Sequence, residues 1–278
     1  VDGAGGLGIA RADAVVRPLA VAQNLGAISH FMLPRGVPPP PPAGAAYLLQ
    51  VAEGARSLVR SSLVEASAGG KAADVVAAIG AIGAQLATAY EQHVVQQRRI
   101  DAELEQALAG VECRKGCSFC CHLRVTTTVL EVIRIAEALS RDRSPERRSA
   151  LVFTARKTAG LSDRDRLQQR TPCPLLVDGA CSIYEVRPLT CHALLSRSAS
   201  LCEHQLLASA AGDEPLKIPS PIAPRLLAAS LISGQIAALR DLGLASHLVE
   251  LISATAALQQ DRNLLLRWLN REDVFARA

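Results

Sequence analysis

The chain of 278 residues is 49% hydrophobic, 20% charged and 3% aromatic, with 30 basic and 26 acidic residues giving a net charge of +4. A chain of this size and apolar content can build a sizeable core as one large domain or two small ones, so it does not need the disulfide staples of a small secreted scaffold. Its interspersed charges and scarce aromatics exclude the basic, base-stacking face of a nucleic-acid binder.

Residues 1–45 are rich in Gly, Ala and Pro and read as a flexible leader and linker, with Pro38 to Pro42 as a stiff extended spacer. Gly3 to Gly8 formally matches G-x-G-x-x-G, but a dinucleotide fingerprint follows a strand and only Val1 and Asp2 come before it. No charged segment followed by an apolar one marks a secretory signal. Residues 46–110 form an N-terminal helical segment: Ala46 to Leu108 lacks proline and predicts two helices separated near Gly69 and Gly70. Val75 to Tyr90 is an uncharged run of sixteen residues, short of the roughly twenty that span a bilayer. It reads as a buried core helix packed closely at Gly80 and Gly83, with no membrane span. The polar stretch from Gln92 to Glu105 continues it as a half-exposed helix.

The chemistry is concentrated in residues 111–205. Glu112 to His122 reads E-C-R-K-G-C-S-F-C-C-H, which places Cys113, Cys117, Cys120 and Cys121 within nine residues. After a gap of fifty-one residues come Cys173, Cys181, Cys191 and Cys202, and the rest of the chain has no cysteine. Thiols used as small core hydrophobes would be scattered. Clustering points to thiolate ligation of zinc or an iron-sulfur centre.

In the gap, Thr128 to Glu131 is a capping-box pattern that starts a helix with Val129, Val132, Ile133, Ala136 and Leu139 on one stripe. Ser144 followed by Pro145 starts a second helix, and Gly160 stops it. These two helices are expected to fold the second cysteine group back onto the first. Cys173 to Tyr184 predicts a short β-hairpin around Asp178 and Gly179. A two-residue loop pairs Leu176 with Cys181 and puts Cys173 on the opposite face. A three-residue loop pairs Leu175 with Cys181 and puts both thiols on one face, and a shared centre requires this second register. Tyr184 reads as a packed side chain and Arg187 as a structural partner of Glu185 or a carbonyl, with Pro188 holding Arg187 extended before Cys191. Residues 206–278 return to helix as a C-terminal segment packing on the rest. One helix runs from Pro224 to Leu242 and a second from Ser246 to Leu258. A third covers Leu264 to Leu269 around the sole tryptophan, Trp268, read as a core or interface anchor.

The fold class is therefore mainly α: a helical domain with a cysteine-rich metal-binding insert that contains a short β-hairpin. Tetrahedral zinc draws its sulfurs to roughly 4 Å of one another. Diagonal hairpin neighbours start roughly 7 to 8 Å apart, which favours a larger iron-sulfur cluster. Cys117 and Cys120 are also an acceptable zinc knuckle. C-x3-C-x2-C is the spacing with which radical enzymes hold a four-iron cluster, although no alternating βα pattern accompanies it here. Both groups are expected to build one composite site from Cys113, Cys117, Cys120 or Cys121 together with Cys173, Cys181 and Cys191. The adjacent thiol of Cys120 or Cys121 would serve a second metal or back the first, and Cys202 is the outlying member. His122, His192 and His204 adjoin the cysteines and read more readily as hydrogen-bonding supports than as ligands.

C-R-K-G-C-S-F-C-C, followed by C-P-L-L-V-D-G-A-C-S-I-Y-E-V-R-P-L-T-C-H, resembles the CxxxCxxCC cysteine-cluster family, the YkgJ type, described as zinc- or iron-chelating proteins. The resemblance covers Cys113 to His192 and implies chelation of zinc or iron, and the spacing argument above leans to iron as an iron-sulfur cluster, with zinc as the other cofactor. One position departs from the family pattern, since His192 stands where an arginine usually follows the cysteine of R-P-x-x-C. The function expected is a metal-binding cysteine-cluster protein with a redox or metal-handling role in the cytoplasm, where thiols stay reduced. Its partner is a metal ion, with a protein partner left open. The alternatives are a helical interaction scaffold stapled by structural zinc and a cluster-containing protein-modifying enzyme, since flagellin lysine methylases resemble this family in their cysteine cluster.

Overall fold

The computed structural model describes residues 42–100, 106, 108–141, 144–211 and 218–276. The expected leader falls on residues 1–41, outside this range, while Pro42 to Ala45, assigned above to the linker, already belong to the first helix. That helix, α1 (Pro42–Ser67), turns at Gly70, whose φ of +70° suits glycine, into α2 (Ala72–Ile100). The two-helix expectation with a break at the glycine pair holds.

Two features of α2 depart from the closely packed core helix expected there. It buries a single stripe, Val75, Ile79, Ile82, Leu86 and Tyr90, and turns Ala77, Ala81 and Ala84 outward. Alanine satisfies helix propensity without needing burial, so a charge-free sequence does not have to be enclosed. Gly83 does allow a close approach, because a Cβ there would meet the Arg134 side chain at 2.4 Å, whereas Gly80 faces nothing within 4 Å.

After the cysteine turn, β1 (Thr126–Thr127) leads into α3 (Val129–Ser140), where Thr128 caps the helix by accepting the Glu131 amide. All five stripe residues of α3 are buried. Next, α4 (Pro145–Thr158) starts at Ser144, whose hydroxyl accepts the Arg147 amide, and ends just before Gly160 at φ +71°. The gap between the cysteine groups holds a third helix, α5 (Asp163–Gln168), in place of the two expected. Its six residues show no apolar stripe, and its sign is the cap, with Ser162 accepting the Asp165 amide. The hairpin of β2 (Leu176–Val177) and β3 (Ala180–Cys181) is followed by α6 (Leu189–Ala193) and α7 (Ala199–Ala211).

The centre of the core is α8 (Ile222–Asp241), with fourteen of its residues buried, packed against α1, α2 and α6. Gly234 makes the α1 crossing possible, because a Cβ there would lie 2.2 Å from the Ala52 carbonyl oxygen and 2.7 Å from the Ala55 Cβ. Arg56, 3% exposed, pins the same pair of helices through a two-pronged contact with Asp241 at 2.7 and 2.9 Å. The helix expected from Ser246 begins only at Leu251, as α9 (Leu251–Gln260), because Val249 and Glu250 form β4 and pair antiparallel with β1. That pairing is long-range, so the helical stripe that includes Leu248 cannot reveal it. Last, α10 (Asn263–Leu269) buries Trp268 completely, and its indole N–H donates to the Ala245 carbonyl at 3.2 Å.

One hydrophobic cluster runs from Leu48 to Phe275 and takes in every helix except α5 and α7. Two helices among the described residues are long and apolar enough to cross a membrane by length and composition, Ala72–Gln96 and Ile222–Asp241. The second is 78% buried within the protein and the first 22%.

The Gly234→Ala substitution is expected to push α8 off the α1 backbone and cost about 3 kcal/mol, since a carbonyl oxygen cannot move aside as a side chain can. Urea denaturation should show a lower midpoint with an unchanged slope.

Candidate metal centre

The first cysteine group is a turn followed by a single 3₁₀ turn. Gly116, at φ +92°, allows the chain to fold so that the Cys117 amide donates to the Arg114 carbonyl at 2.9 Å. Phe119–His122 then form the 3₁₀ turn that carries Cys120 and Cys121. The entry to the turn is tied to the segment after α6. Glu112 donates its amide to the Ser196 carbonyl at 3.0 Å and accepts the Ala199 amide at 2.6 Å, and the Ser196 amide donates to the Cys113 sulfur at 3.1 Å.

The second group closes on the first through the Cys173 amide, which donates to the Cys121 carbonyl at 2.7 Å. The hairpin has the two-residue loop: Leu176 pairs with Cys181 and Val177 with Ala180, across Asp178 at φ +49° and Gly179 at φ +76°. The expectation that a shared site needs the other register is corrected, since Cys173 and Cys181 face the same cavity in this one. Face alternation applies only within a strand, and Cys173 lies outside it, in a turn closed by the Leu176 amide to the Cys173 carbonyl at 3.0 Å.

Cys191 sits in the middle of α6, and two contacts with the start of α3 fix that short helix. The Glu131 carboxylate accepts the Leu189 amide at 2.7 Å and the Thr127 hydroxyl, and the Thr190 hydroxyl donates to the Thr126 carbonyl at 3.0 Å. Glu131 therefore does more than the expected local capping: it joins two elements fifty-eight residues apart.

Cys113, Cys117, Cys120, Cys121, Cys173, Cys181 and Cys191 all line one cavity of about 140 Å³. Cys202, on α7, lines an adjoining cavity of about 120 Å³ whose wall also includes Cys113, Cys117 and Cys120. Leu123, Val125, Leu175, Ile183, Leu194 and Leu195 supply apolar walls to the main cavity, and Arg114, Arg166, Arg187 and Glu250 supply its charges. All eight cysteines are free thiols. Among the described residues, no three Cys, His, Asp or Glu side chains converge tightly enough to hold a metal ion, so the thiols ring the cavity without meeting at a point.

The enclosure has an electrostatic consequence. Burial pushes the Cys173 thiol up to about 11 and the Cys191 thiol well above its ordinary value, with neighbouring thiols adding to both shifts. Burial also raises Cys113, Cys181 and Cys202. Backbone amides act in the opposite direction: Leu175 toward Cys173, Ile183 toward Cys181 and Ser196 toward Cys113. Amides aimed at sulfur are a common support of thiolate ligands, because they favour the charged form. The donor set is soft, dense and backed by amides, which suits zinc or iron.

None of His122, His192 and His204 lines either cavity. Burial, with help from Arg187 and Arg134, lowers His192 to about 4, so its ring is neutral and its Nδ1 can accept from Arg187 Nη2 at 3.4 Å. His192 thus steadies an arginine at the cavity and places no nitrogen in it. Arg187 also lies over the Tyr184 ring, 4.1 Å from its centroid, in a cation–π contact, where a structural pairing with Glu185 or a carbonyl was expected. Two cavity residues had no signal in the sequence. Arg166 is one of several charges in a polar helix, and Glu250 is brought to the cavity only by the β1–β4 pairing.

Residues 112–206 match the model of the CxxCxxCC family, whose description reads "Putative zinc- or iron-chelating domain". The match takes in all eight cysteines and supports metal binding by this segment. No curated protein and no solved structure matches the chain.

In metal-free protein at pH 8, Cys173 and Cys191 should alkylate more slowly than an ordinary exposed thiol, because a raised pKa lowers the reactive thiolate fraction. Their labelling, followed by mass spectrometry, should still be accelerating as the pH rises past 9.

Proposed function

We propose that the two cysteine groups together bind iron as an iron-sulfur cluster, in a composite site that serves a redox or metal-handling task in a reducing cytoplasm. The observation that carries this reading is the cavity: seven thiols from segments separated by fifty-one residues ring one space. A single zinc ion would draw its four sulfurs to within roughly 4 Å of one another. Thiols arranged around a space of about 140 Å³ fit a larger group with less distortion. Candidate ligands are Cys113, Cys117, Cys120 or Cys121 on one side and Cys173, Cys181 and Cys191 on the other. The remaining member of the adjacent Cys120 and Cys121 pair stays as a neighbouring thiol. Cys202 backs the shared wall from the adjoining cavity.

A bound cluster of this kind supplies one-electron transfer. The chain's own part is to hold deprotonated sulfurs, direct amides at them and keep water away with the leucine-rich walls. Those functions explain why the thiols are enclosed, because hydrophobic surroundings and amide donors are what set the potential of such a centre.

Anaerobic purification followed by an absorption spectrum with iron, sulfide and zinc analysis tests the proposal. Iron with matching sulfide and broad visible absorption is expected. Stoichiometric zinc without colour would replace the cluster reading by the zinc-stapled scaffold, and metal-free protein would end both. Because metal held only by the folded chain adds its binding free energy to folding, chelation should lower the melting temperature. A melting temperature that stays unchanged after the metal is removed would deny the site a structural role.

A further inference from the structure

The main cavity is lined by two arginines, each with a buried donor that no group of the described protein accepts from. Arg166 is 2% exposed, and its Nε is buried with no hydrogen-bond partner among the described residues. The Nε of Arg187 is likewise buried and unpartnered, although its other groups reach Tyr184 and His192. Both side chains line the cavity ringed by the thiols. Arg166 acts electrostatically on Cys173, and Arg187 acts on Cys120, Cys181 and Cys191. A guanidinium withdrawn from water without an anion or acceptor is strongly disfavoured. One carboxylate shares the cavity: Glu250, 8% exposed, uses one oxygen to cap α9 through the Ser253 amide at 2.7 Å and leaves the other unpartnered. Among the described residues neither that oxygen nor the Arg166 Nε has a partner, so the carboxylate does not resolve the orphan donor.

We infer that Arg166 and Arg187 are positioning residues for the bound metal centre, pairing as cations with a thiolate-ligated group of net negative charge and donating their free Nε–H groups to its sulfur atoms. The inference rests on the metal-binding reading and deepens it. Protonated thiols leave the cavity with Arg114, Arg166 and Arg187 against Glu250, an excess of positive charge. Four thiolates around a divalent ion, or around a four-iron cluster, carry a net negative charge that offsets this excess. The site is then complete only when loaded: the metal neutralises thiolate repulsion, and the arginines neutralise what the metal leaves. An arginine suits this role because its charge is permanent and its donors are fixed in a plane.

The test uses the full chain, purified anaerobically, with Arg166→Met and Arg187→Gln compared with the unsubstituted protein. Metal retention is measured by competition with a chelator, and stability by urea unfolding of the metal-free forms. Each substitution should make the metal at least tenfold easier to remove, as loss of a supporting contact around a ligand usually does. Metal-free Arg166→Met should be as stable as the unsubstituted protein or more so, because an unpaired buried charge has been removed. If the centre is iron-sulfur, its midpoint potential should fall in both variants, since loss of a nearby positive charge disfavours the added electron. Arg166→Lys keeps the charge without the planar donors and should recover the potential better than the retention. Unchanged retention in both variants overturns the inference while the metal reading stands. Loss of stability in the metal-free Arg166→Met protein, or its failure to fold, also overturns it, because Arg166 would then be structural. An unsubstituted protein that takes up no metal overturns the inference together with the reading beneath it.

Discussion

The amide of Cys173 donates to the carbonyl of Cys121 at 2.7 Å, and the convergence of the two cysteine groups on one cavity depends on this contact between chain segments separated by fifty-one residues. A single hydrogen bond contributes about 1 kcal/mol net, far too little to close a loop of that length by itself. The helices in between make the closure possible. Helix α3 is buried along one face, α4 packs on α9, and α5 packs on α7, so packing of the intervening residues carries most of the cost of that closure. The contact then has only to set register. It fixes where Cys173 lies relative to the 3₁₀ turn that carries Cys120 and Cys121.

The same logic extends to Cys191. Helix α6 is five residues long and has no capping side chain of its own, so it would not persist in isolation. It is held from outside by Glu131, whose carboxylate joins the Leu189 amide to the Thr127 hydroxyl at the junction of β1 and α3. Desolvation raises the Glu131 pKa, and the hydrogen bonds from Thr127 and Leu189 oppose that rise. On the opposite side, β1 is held by β4 and by the Leu251 amide donating to the Val125 carbonyl at 2.9 Å. The C-terminal helices thereby reach the cavity, where Leu251 and Ile252 form part of its wall.

What the sequence disclosed follows from the range of each signal. Caps and stripes are local, so Thr128, the Ser144–Pro145 start and the burial of Val132 and Ile133 could be read from a few neighbours. The density of the cysteines was visible for the same reason. Partners distant in the chain were not. Nothing near Val249 announces a strand, since its partner Thr127 lies more than a hundred residues earlier, and a helical stripe through Leu248 was the best local reading. The hairpin shows a subtler limit. Asp178-Gly179 correctly marked a turn, but face alternation was extended to Cys173, beyond the end of a two-residue strand. Arg166 illustrates the same limit for charge, because only the packing of α5 on α7 decides which of its charged side chains is enclosed.

The two kinds of charged group at the cavity explain each other better than either explains itself. Thiols crowded into a desolvated space resist ionisation, and the raised values of Cys173 and Cys191 express that resistance. A guanidinium enclosed without an acceptor is unfavourable, as for Arg166, and Arg187, partly met by His192 and Tyr184, still keeps an unpartnered Nε. The unpaired guanidinium lowers the stability of the fold, whereas the thiols pack without that cost while they stay protonated. Around one cavity they take opposite signs only once a metal cation converts thiols to thiolates, and the arginines then meet the negative charge they lack. The backbone amides of Leu175, Ile183 and Ser196 already point at the sulfurs they would then support. A fold that carries such strain in its metal-free form is biased toward the loaded one, and binding of the metal is the event that relieves it.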